Sequence, residues 1–179
     1  MKRTVVKAKY DLTADDVGAL ASFQARNDFG YRYSRRWQAG TLALIIVLVG
    51  AAVAARQDSL REASVPLGLS ILIASYCAIV RYREYPKRFA HYAKSRYLDA
   101  ESRGSLGIHE ISIDDTGVSI TNDHFDSRIR WSMIVKVERT QNHIFAFTGP
   151  LHAVINPKRS LEGADFGKTY EAMRDHGAA

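Results

Sequence analysis

The sequence predicts an α+β protein in which a two-helix transmembrane hairpin is inserted into a small antiparallel β domain that ends in a C-terminal helix. Three observations support this prediction. Two long apolar runs lie between Trp37 and Val80, alternating apolar and polar residues follow Gly104, and a shorter alternating segment precedes the apolar runs. A chain of 179 residues suits one domain with an appendage.

Both apolar runs are long enough to cross a bilayer. Residues 37–55 and 63–80 form runs of 19 and 18 residues that contain no Asp, Glu, Lys or Arg. At ~1.5 Å per residue, each helix reaches about 27 to 28 Å, close to the ~30 Å hydrocarbon layer. The alternative is a soluble helical bundle, but its helices would carry a polar stripe, which residues 42–55 lack. Since no charge lies within the spans, we expect no ion or proton path.

The distribution of basic residues predicts the topology of the hairpin. Fifteen Lys and Arg residues fall in segments 1–37 and 81–104, whereas the connecting loop 56–62 holds two. Because basic flanks stay on the cytoplasmic side, both termini should be cytoplasmic. The expected location is the bacterial inner (plasma) membrane, with two passes. The first run also begins too late for a cleaved signal peptide.

Small residues in the spans would let the two backbones approach closely. Gly50 and Ala54 have a spacing that suits either the intramolecular pair or a homodimer. The small residues are Gly40, Ala43, Gly50, Ala51 and Ala54 in the first span, and Gly68, Ser70, Ala74 and Ser75 in the second.

Alternating residues predict the β domain. Six short strands follow Gly104, at 107–113, 118–122, 125–131, 133–140, 143–149 and 151–157. A seventh strand precedes the spans at 3–12, Thr13 is the predicted N-cap of a helix over 14–27, and a last amphipathic helix covers 165–176.

Seven strands and a terminal helix are the count of a pleckstrin-homology-like barrel, with the hairpin inserted between its first two strands. In the alternative, the first segment packs elsewhere and leaves a six-stranded sheet. The predicted segments are an N-terminal strand and helix (1–36), the transmembrane hairpin (37–82), a basic juxtamembrane helix (83–104) and the β domain with its C-terminal helix (105–179).

Four stretches resemble the YcxB-like proteins, namely YDLTADD near the start, and IDDTGVSITND, SRIRWSMIVKVERT and AVINPKRSL in the second half. The resemblance follows nearly the whole chain in order. It implies a small bacterial membrane protein with a two-helix hairpin and a soluble β domain, and it implies no catalytic residue.

The sequence contains none of the patterns that carry common enzyme chemistry. The six histidines show no zinc-binding spacing, no phosphate-binding glycine loop is present, and Cys77 lies in an apolar run, where a thiolate is disfavoured. Turn capping accounts for the clustered carboxylates Asp114, Asp115, Asp123 and Asp126. We therefore predict a protein that is not an enzyme and that holds no metal or cofactor.

Two basic clusters are the predicted contacts for a lipid headgroup or a partner. Lys87, Arg88, Lys94 and Arg96 accompany an aromatic stripe of Tyr85, Phe89 and Tyr92, which suits an anionic membrane surface. Alternatively, the stripe packs on the β domain and only the charges are interfacial. Lys158 and Arg159 follow Pro157 in a turn, where they contact either a headgroup or only solvent.

Two functions remain open. In the first, the hairpin tethers a binding or scaffold module that contacts membrane lipid and a protein partner. In the alternative, the chain is an immunity or regulatory membrane protein that inhibits a toxin or partner. Nucleic acid is not an expected partner, because residues 105–179 carry eight basic and ten acidic side chains.

Overall fold

The computed structural model describes residues 4–98, 104–150, 152–160 and 165–177, and it confirms the α+β class. Short 3₁₀ turns occupy Trp131–Met133 and Lys158–Ser160. The helices are α1 (Ala14–Asn27), α2 (Phe29–Ala54), α3 (Leu60–Leu98) and α4 (Phe166–Gly177). The strands are β1 (Thr4–Leu12), β2 (Gly107–Asp114), β3 (Gly117–Thr121), β4 (Asp126–Arg130), β5 (Lys136–Arg139), β6 (His143–Phe147) and β7 (Ala153–Pro157).

The strands form two antiparallel sheets, ordered β1-β2-β3-β4 and β5-β6-β7. β1 pairs with β2 across the whole helical insertion, and the register runs from Thr4 opposite Asp114 to Leu12 opposite Gly107. The N-terminal strand therefore belongs to the β domain. Seven strands are confirmed in the described chain, and the six-stranded alternative is wrong.

Alternation along the strands builds the core of the β domain. In β2 the side chains of His109, Ile111 and Ile113 are buried, whereas Ile108 is 59% exposed. Val118 and Ile120 of β3 face the same core, as their spacing predicts. Helix α4 contributes Met173 to this core, so its amphipathic pattern serves packing within the β domain.

Contacts divide the chain into two compact units. The first, here the β unit, comprises Met1–Leu20 and Ala90–Ala179 and holds all seven strands. The second, here the helical unit, comprises Ala21–Phe89 and holds α2 and most of α3.

Helices α2 and α3 are long and apolar enough to span a membrane. The most apolar window of each has a mean hydropathy of 2.0, and only 11% of that window is buried. A soluble core helix would bury most of such a window, so the low burial favours lipid-facing helices over the soluble bundle.

Within the helical unit, α2 and α3 approach each other closely at Gly50. A Cβ atom at Gly50 would lie 2.1 Å from Ser70 Oγ and 3.3 Å from the Pro66 carbonyl oxygen. Ser70 and Ala74 are buried at this contact face, whereas a Cβ at Gly40 or Gly68 would meet nothing within 4 Å. Only part of the predicted small-residue set therefore serves the helix pair.

Helix α3 extends well beyond its predicted span. It begins at Leu60, which places Pro66 in the second turn, and it continues past Val80 to Leu98 without a break. Residues 83–98 of the predicted juxtamembrane helix are thus the C-terminal part of α3, and residues 99–103 lie outside the described chain. Residues 81–98 contain no glycine, which favours continuation of the helix.

Candidate functional site

One end of the α2–α3 pair carries aromatic and basic side chains that contact one another. The rings of Tyr31 and Phe89 lie 4.7 Å apart between centroids. The Arg35 guanidinium lies 3.5 Å from the centroid of the Tyr82 ring. Segments 31–37 and 81–89, which the sequence predicts as the two cytoplasmic flanks, therefore meet at the same end of the hairpin.

Pro86 explains why Arg35 binds at this position. Proline has no backbone N–H, so Pro86 leaves the Tyr82 carbonyl oxygen without its usual helical donor. Arg35 Nε donates to that oxygen at 2.5 Å. The guanidinium thus satisfies a backbone carbonyl that the proline would otherwise leave without a donor.

The four predicted cations of α3 have different surroundings. Lys87 lies 3.7 Å from Glu84 and is 74% exposed, and Arg88 is exposed as well. Lys94 forms an ion pair with Asp15 of α1, inside the β unit, and Arg96 is exposed. Lys87, Arg88 and Arg96 therefore remain accessible, whereas Lys94 also ties α3 to the start of α1.

The aromatic stripe of α3 is divided as well. Tyr85 stacks on Phe89 with centroids 6.2 Å apart, and Phe89 contacts α2 through Tyr31. Tyr92 is 61% exposed. The first two aromatics thus serve helix–helix packing, and Tyr92 is the stripe residue that faces outward.

Arg159 lies in the 3₁₀ turn after β7 and binds a buried carboxylate. Its Nη1 donates to Asp16 Oδ1 and its Nη2 to Asp16 Oδ2, both at 2.7 Å. Hydrogen bonding to Asp16 raises the pKa of Arg159. The backbone N–H of Lys158 donates to the Asn142 carbonyl at 2.8 Å, and its ammonium lies 5.7 Å from the Phe166 centroid.

Asp16 is the centre of a buried polar cluster, the Asp16 cluster, with Thr13, His143 and Arg159. Its side chain is 1% exposed. Oδ1 lies 2.9 Å from His143 Nε2, and Oδ2 accepts the backbone N–H and the hydroxyl of Thr13, each at 2.9 Å. Burial alone would raise the pKa of Asp16, but hydrogen bonds from His143, Arg159 and Thr13 outweigh burial and hold that pKa well below its usual range.

This arrangement makes the Asp16 cluster structural. A carboxylate offers about four lone-pair sites, and three residues already fill those of Asp16. The cluster joins the N-terminus of α1, just after β1, to the start of β6 and the turn after β7. It therefore connects the two sheets at the point where the chain leaves β1 for the helices.

An open cleft of about 400 Å³ lies in the β unit and is lined by Tyr10, His109, Phe125 and residues of β4 and β7. His109 Nδ1 lies 2.8 Å from the Gly107 carbonyl, and its Nε2 lies 3.2 Å from Asn122 Nδ2. These partners assign the Nδ1–H tautomer and engage both ring nitrogens. Burial, with a smaller contribution from Asp16, raises the pKa of Tyr10, which stacks on His109 at 5.4 Å.

The turn role predicted for Asp114 is confirmed. Its Oδ1 accepts the backbone N–H of Thr116 at 2.7 Å and of Gly117 at 3.1 Å, while Arg128 donates to Oδ2 at 2.7 Å. The Thr116 hydrogen bonds are the main reason that the pKa of Asp114 is lowered to about 2. Within the described ranges, no three His, Cys, Asp or Glu side chains are grouped so that they could hold a metal ion.

Sequence reasoning missed His143 and the buried role of Asp16. The Thr13-x-x-Asp16 spacing is a capping-box pattern, so the bond to Thr13 had a local signal. His143 and Arg159 lie 127 and 143 residues away from Asp16, and no local pattern indicates such contacts.

Comparison with curated proteins and with solved structures gives no match. Residues 113–168 match the family model described as YcxB-like protein. The matched segment runs from the end of β2 through β7 to the first residues of α4, and it includes three of the four stretches that carry the resemblance. The chain therefore carries a YcxB-like domain, which occupies the strand-rich second half of the β unit.

Proposed function

We propose that this chain is a non-enzymatic protein of the bacterial inner membrane that presents the β unit in the cytoplasm as a pleckstrin-homology-like binding or scaffold module. Its expected partners are membrane lipid and another protein. The main support is the aromatic and basic end of the hairpin, where segments 31–37 and 81–89 meet.

Membrane insertion is supported by the surface of the two helices. Leu44, Ile45, Leu48 and Val49 of α2 are all more than half exposed, as are Leu69 and Leu72 of α3. Such exposed apolar surface is costly in water and favourable in lipid. Tyr, Trp and Arg at one end of the helices are typical of a membrane–water interface.

The cytoplasmic orientation is supported by charge. Loop 56–62 holds two basic and two acidic residues, so the excess of Lys and Arg lies wholly on the flanks. Since both flanks meet at one end of the helix pair, both connections to the β unit leave on the basic side.

The non-enzymatic assignment is supported by the buried titratable groups. Asp16 is saturated by donors from Thr13, His143 and Arg159. His109 uses both ring nitrogens on Gly107 and Asn122. Neither group has a lone pair placed to accept a proton from a substrate.

A binding role is supported by an exposed apolar surface on the β4–β5 corner, residues 131–135. Met133 is 54% and Val135 is 75% exposed, because the residue between them, Ile134, points into the core. Lys136 is exposed beside this surface. Apolar residues with a polar rim are typical of protein contact sites.

In-cell crosslinking tests this role. A photoreactive residue in place of Val135 should give a discrete adduct with a second protein, because the corner would be covered by the partner. The matched control carries the same residue in place of Asp115, an exposed turn position of the same unit. Met133→Asp should weaken the Val135 adduct several-fold, since it places a charge in the apolar contact. Identical patterns from positions 135 and 115, or no adduct at 135, would contradict a binding module that uses this corner.

A further inference from the structure

A groove runs along α2 on its exposed side. This groove, called the α2 groove below, has a volume of about 400 Å³. Its lining residues are Tyr33, Arg36, Trp37, Gly40, Thr41 and Leu44. These positions recur at helical spacings of three and four residues, so they share one face of α2. All of them belong to the helical unit.

Gly40 forms the floor of the α2 groove. A Cβ atom at Gly40 would meet nothing within 4 Å, so the notch is open to an occupant from outside the chain. Tyr33 and Trp37 form the wall, with rings stacked 6.4 Å apart and side chains that are 62% and 63% exposed. The open space at Gly40, beside these two large exposed aromatic side chains, leaves room for a narrow and flexible ligand.

Arg36 supplies the charge in the α2 groove. The preceding residue, Arg35, is committed to the carbonyl and ring of Tyr82. Arg36 is exposed, and no carboxylate in the described part of the chain forms an ion pair with it. The first turn of α2 contains no acidic residue. The groove is thus suited to a ligand with a negative charge.

The residues along the α2 groove change from charged to apolar. Arg36 ends the basic flank, whereas Trp37 begins a run without ionisable residues that includes Gly40 and Leu44. Trp and Tyr settle at the headgroup level of a bilayer. A ligand with a charged head and an apolar tail would match this order of residues along the helix.

We propose that the α2 groove binds one anionic phospholipid of the inner leaflet, with its phosphate on Arg36 and an acyl chain over Gly40 and Leu44. This inference rests on the proposed function, because it requires α2 to span the bilayer with its N-terminal end at the cytoplasmic face. It adds a lipid class and a site that the cations of α3 do not include.

Tryptophan quenching by brominated lipids tests the site in the full chain. The Trp131→Phe variant leaves Trp37 as the reporter in vesicles of phosphatidylcholine that contain brominated phosphatidylglycerol or brominated phosphatidylcholine. We expect stronger quenching by the anionic lipid, and Arg36→Gln should lower this preference about fivefold, since one cation near an anionic headgroup contributes about 1 kcal/mol. The matched control is Arg83→Gln, which removes an exposed cation of α3 at the same end of the hairpin and should leave the preference unchanged.

Filling the notch gives a second variant. Gly40→Leu should reduce the quenching preference, whereas Gly68→Leu, at an equally open glycine of α3, should not. Native mass spectrometry of the same four variants, with Trp131 intact, counts the phosphatidylglycerol molecules that each retains. We expect fewer retained molecules for Arg36→Gln and Gly40→Leu, and an unchanged number for Arg83→Gln and Gly68→Leu.

The outcomes separate this site from the proposed function. Equal quenching by both lipids, or equal effects of Arg36→Gln and Arg83→Gln, would overturn the site while leaving α2 in the membrane. A disulfide-linked dimer of a Gly40→Cys, Cys77→Ser variant would instead assign the groove to a second copy of the chain. Absence of quenching by either lipid would show that Trp37 is not in the bilayer, which contradicts the proposed function itself.

Discussion

At the residue scale, Asp16 shows how a charge is kept inside the β unit. A buried carboxylate is costly unless hydrogen-bond donors surround it. Here Arg159 donates from both terminal nitrogens to Asp16, and Thr13 donates its backbone N–H to the same carboxylate. Arg159 is 53% exposed, so its own desolvation is small. The buried anion and the exposed cation together fix three segments that are distant in sequence.

Asp16→Asn should lower the free energy of unfolding of the β unit by about 2 kcal/mol at pH 7, because hydrogen bonds to the charged carboxylate are lost. The measurement is urea unfolding in detergent of a Trp37→Phe background, where Trp131 reports on the β unit. Asp15→Asn is the matched control, since Asp15 is 75% exposed and forms a surface ion pair with Lys94. Equal losses for both variants would contradict the role assigned to the Asp16 cluster.

The same variant should change the acid dependence of stability. The pKa of Asp16 is lowered in the folded chain, so its contribution is fully present above the unfolded pKa of about 4 and is lost as the pH falls below it. The unmodified chain should therefore lose stability below about pH 4 more steeply than Asp16→Asn. Asp114, with a pKa of about 2, adds a slope that both proteins keep.

Contacts between individual side chains were the feature that the sequence predicted least well. The turn role of Asp114 follows from neighbouring residues and is present. Helix α1 begins directly after Thr13 as predicted, but the capping acceptor there is the Asp16 carboxylate, to which Thr13 donates. The sequence predicts Arg159 as a candidate headgroup or partner contact, and in the structure its guanidinium binds Asp16. The identity of a partner 143 residues away depends on the tertiary fold, which local patterns do not contain.

At the element scale, the boundaries of helices and strands follow mainly from periodicity. The prediction for α1, residues 14–27, agrees with the structure at both ends. At its start Asp16 accepts the backbone N–H and the hydroxyl of Thr13, and just beyond its end Asp28 is the N-cap of α2 and accepts the Gly30 N–H. α3 could not be delimited in this way, since Pro66 and Pro86 usually mark helix ends and here lie inside one helix. Arg35 compensates for Pro86 from another helix, and that contact is not visible in the sequence of α3.

Close packing of α2 on α3 should depend on Gly50 and not on Gly68. Gly→Ala in an open helix position gains about 0.5 to 1 kcal/mol, so Gly68→Ala should be neutral or slightly stabilising. At Gly50 the new Cβ would overlap Ser70, and overpacking of this kind costs about 1 to 3 kcal/mol. Thermal denaturation in detergent should therefore give a lower midpoint for Gly50→Ala alone.

Ser70→Gly in the Gly50→Ala background should restore part of the lost stability, because it removes the atoms that the new Cβ meets. A Gly50→Ala midpoint equal to that of Gly68→Ala would show that α2 and α3 do not approach closely at this point.

At the scale of the whole molecule, the strand order explains how one chain combines a β domain with an inserted pair of long apolar helices. Leu12 and Gly107 are paired neighbours at one end of the first sheet, so three helices can be inserted between them without breaking the β1–β2 ladder. The alternation in β1 predicts a strand, but the sequence leaves open whether that strand joins the β domain, which the β1–β2 pairing shows. The sequence predicts a break at Ser132, between strands over 125–131 and 133–140. The structure has a 3₁₀ turn at Trp131–Met133 there, and β5, the first strand of the 3-stranded sheet, begins only at Lys136.

The account depends most on the claim that both helices cross the bilayer and place loop 56–62 outside. Cys77 is the only native cysteine, so a Cys77→Ser background accepts single reporters at Ser59→Cys in the loop and Ser132→Cys on the β unit. We predict that a membrane-impermeant maleimide labels position 59 in right-side-out vesicles and labels position 132 only after detergent is added. Labelling of position 132 in intact vesicles, or release of the chain by alkaline carbonate, would contradict the account.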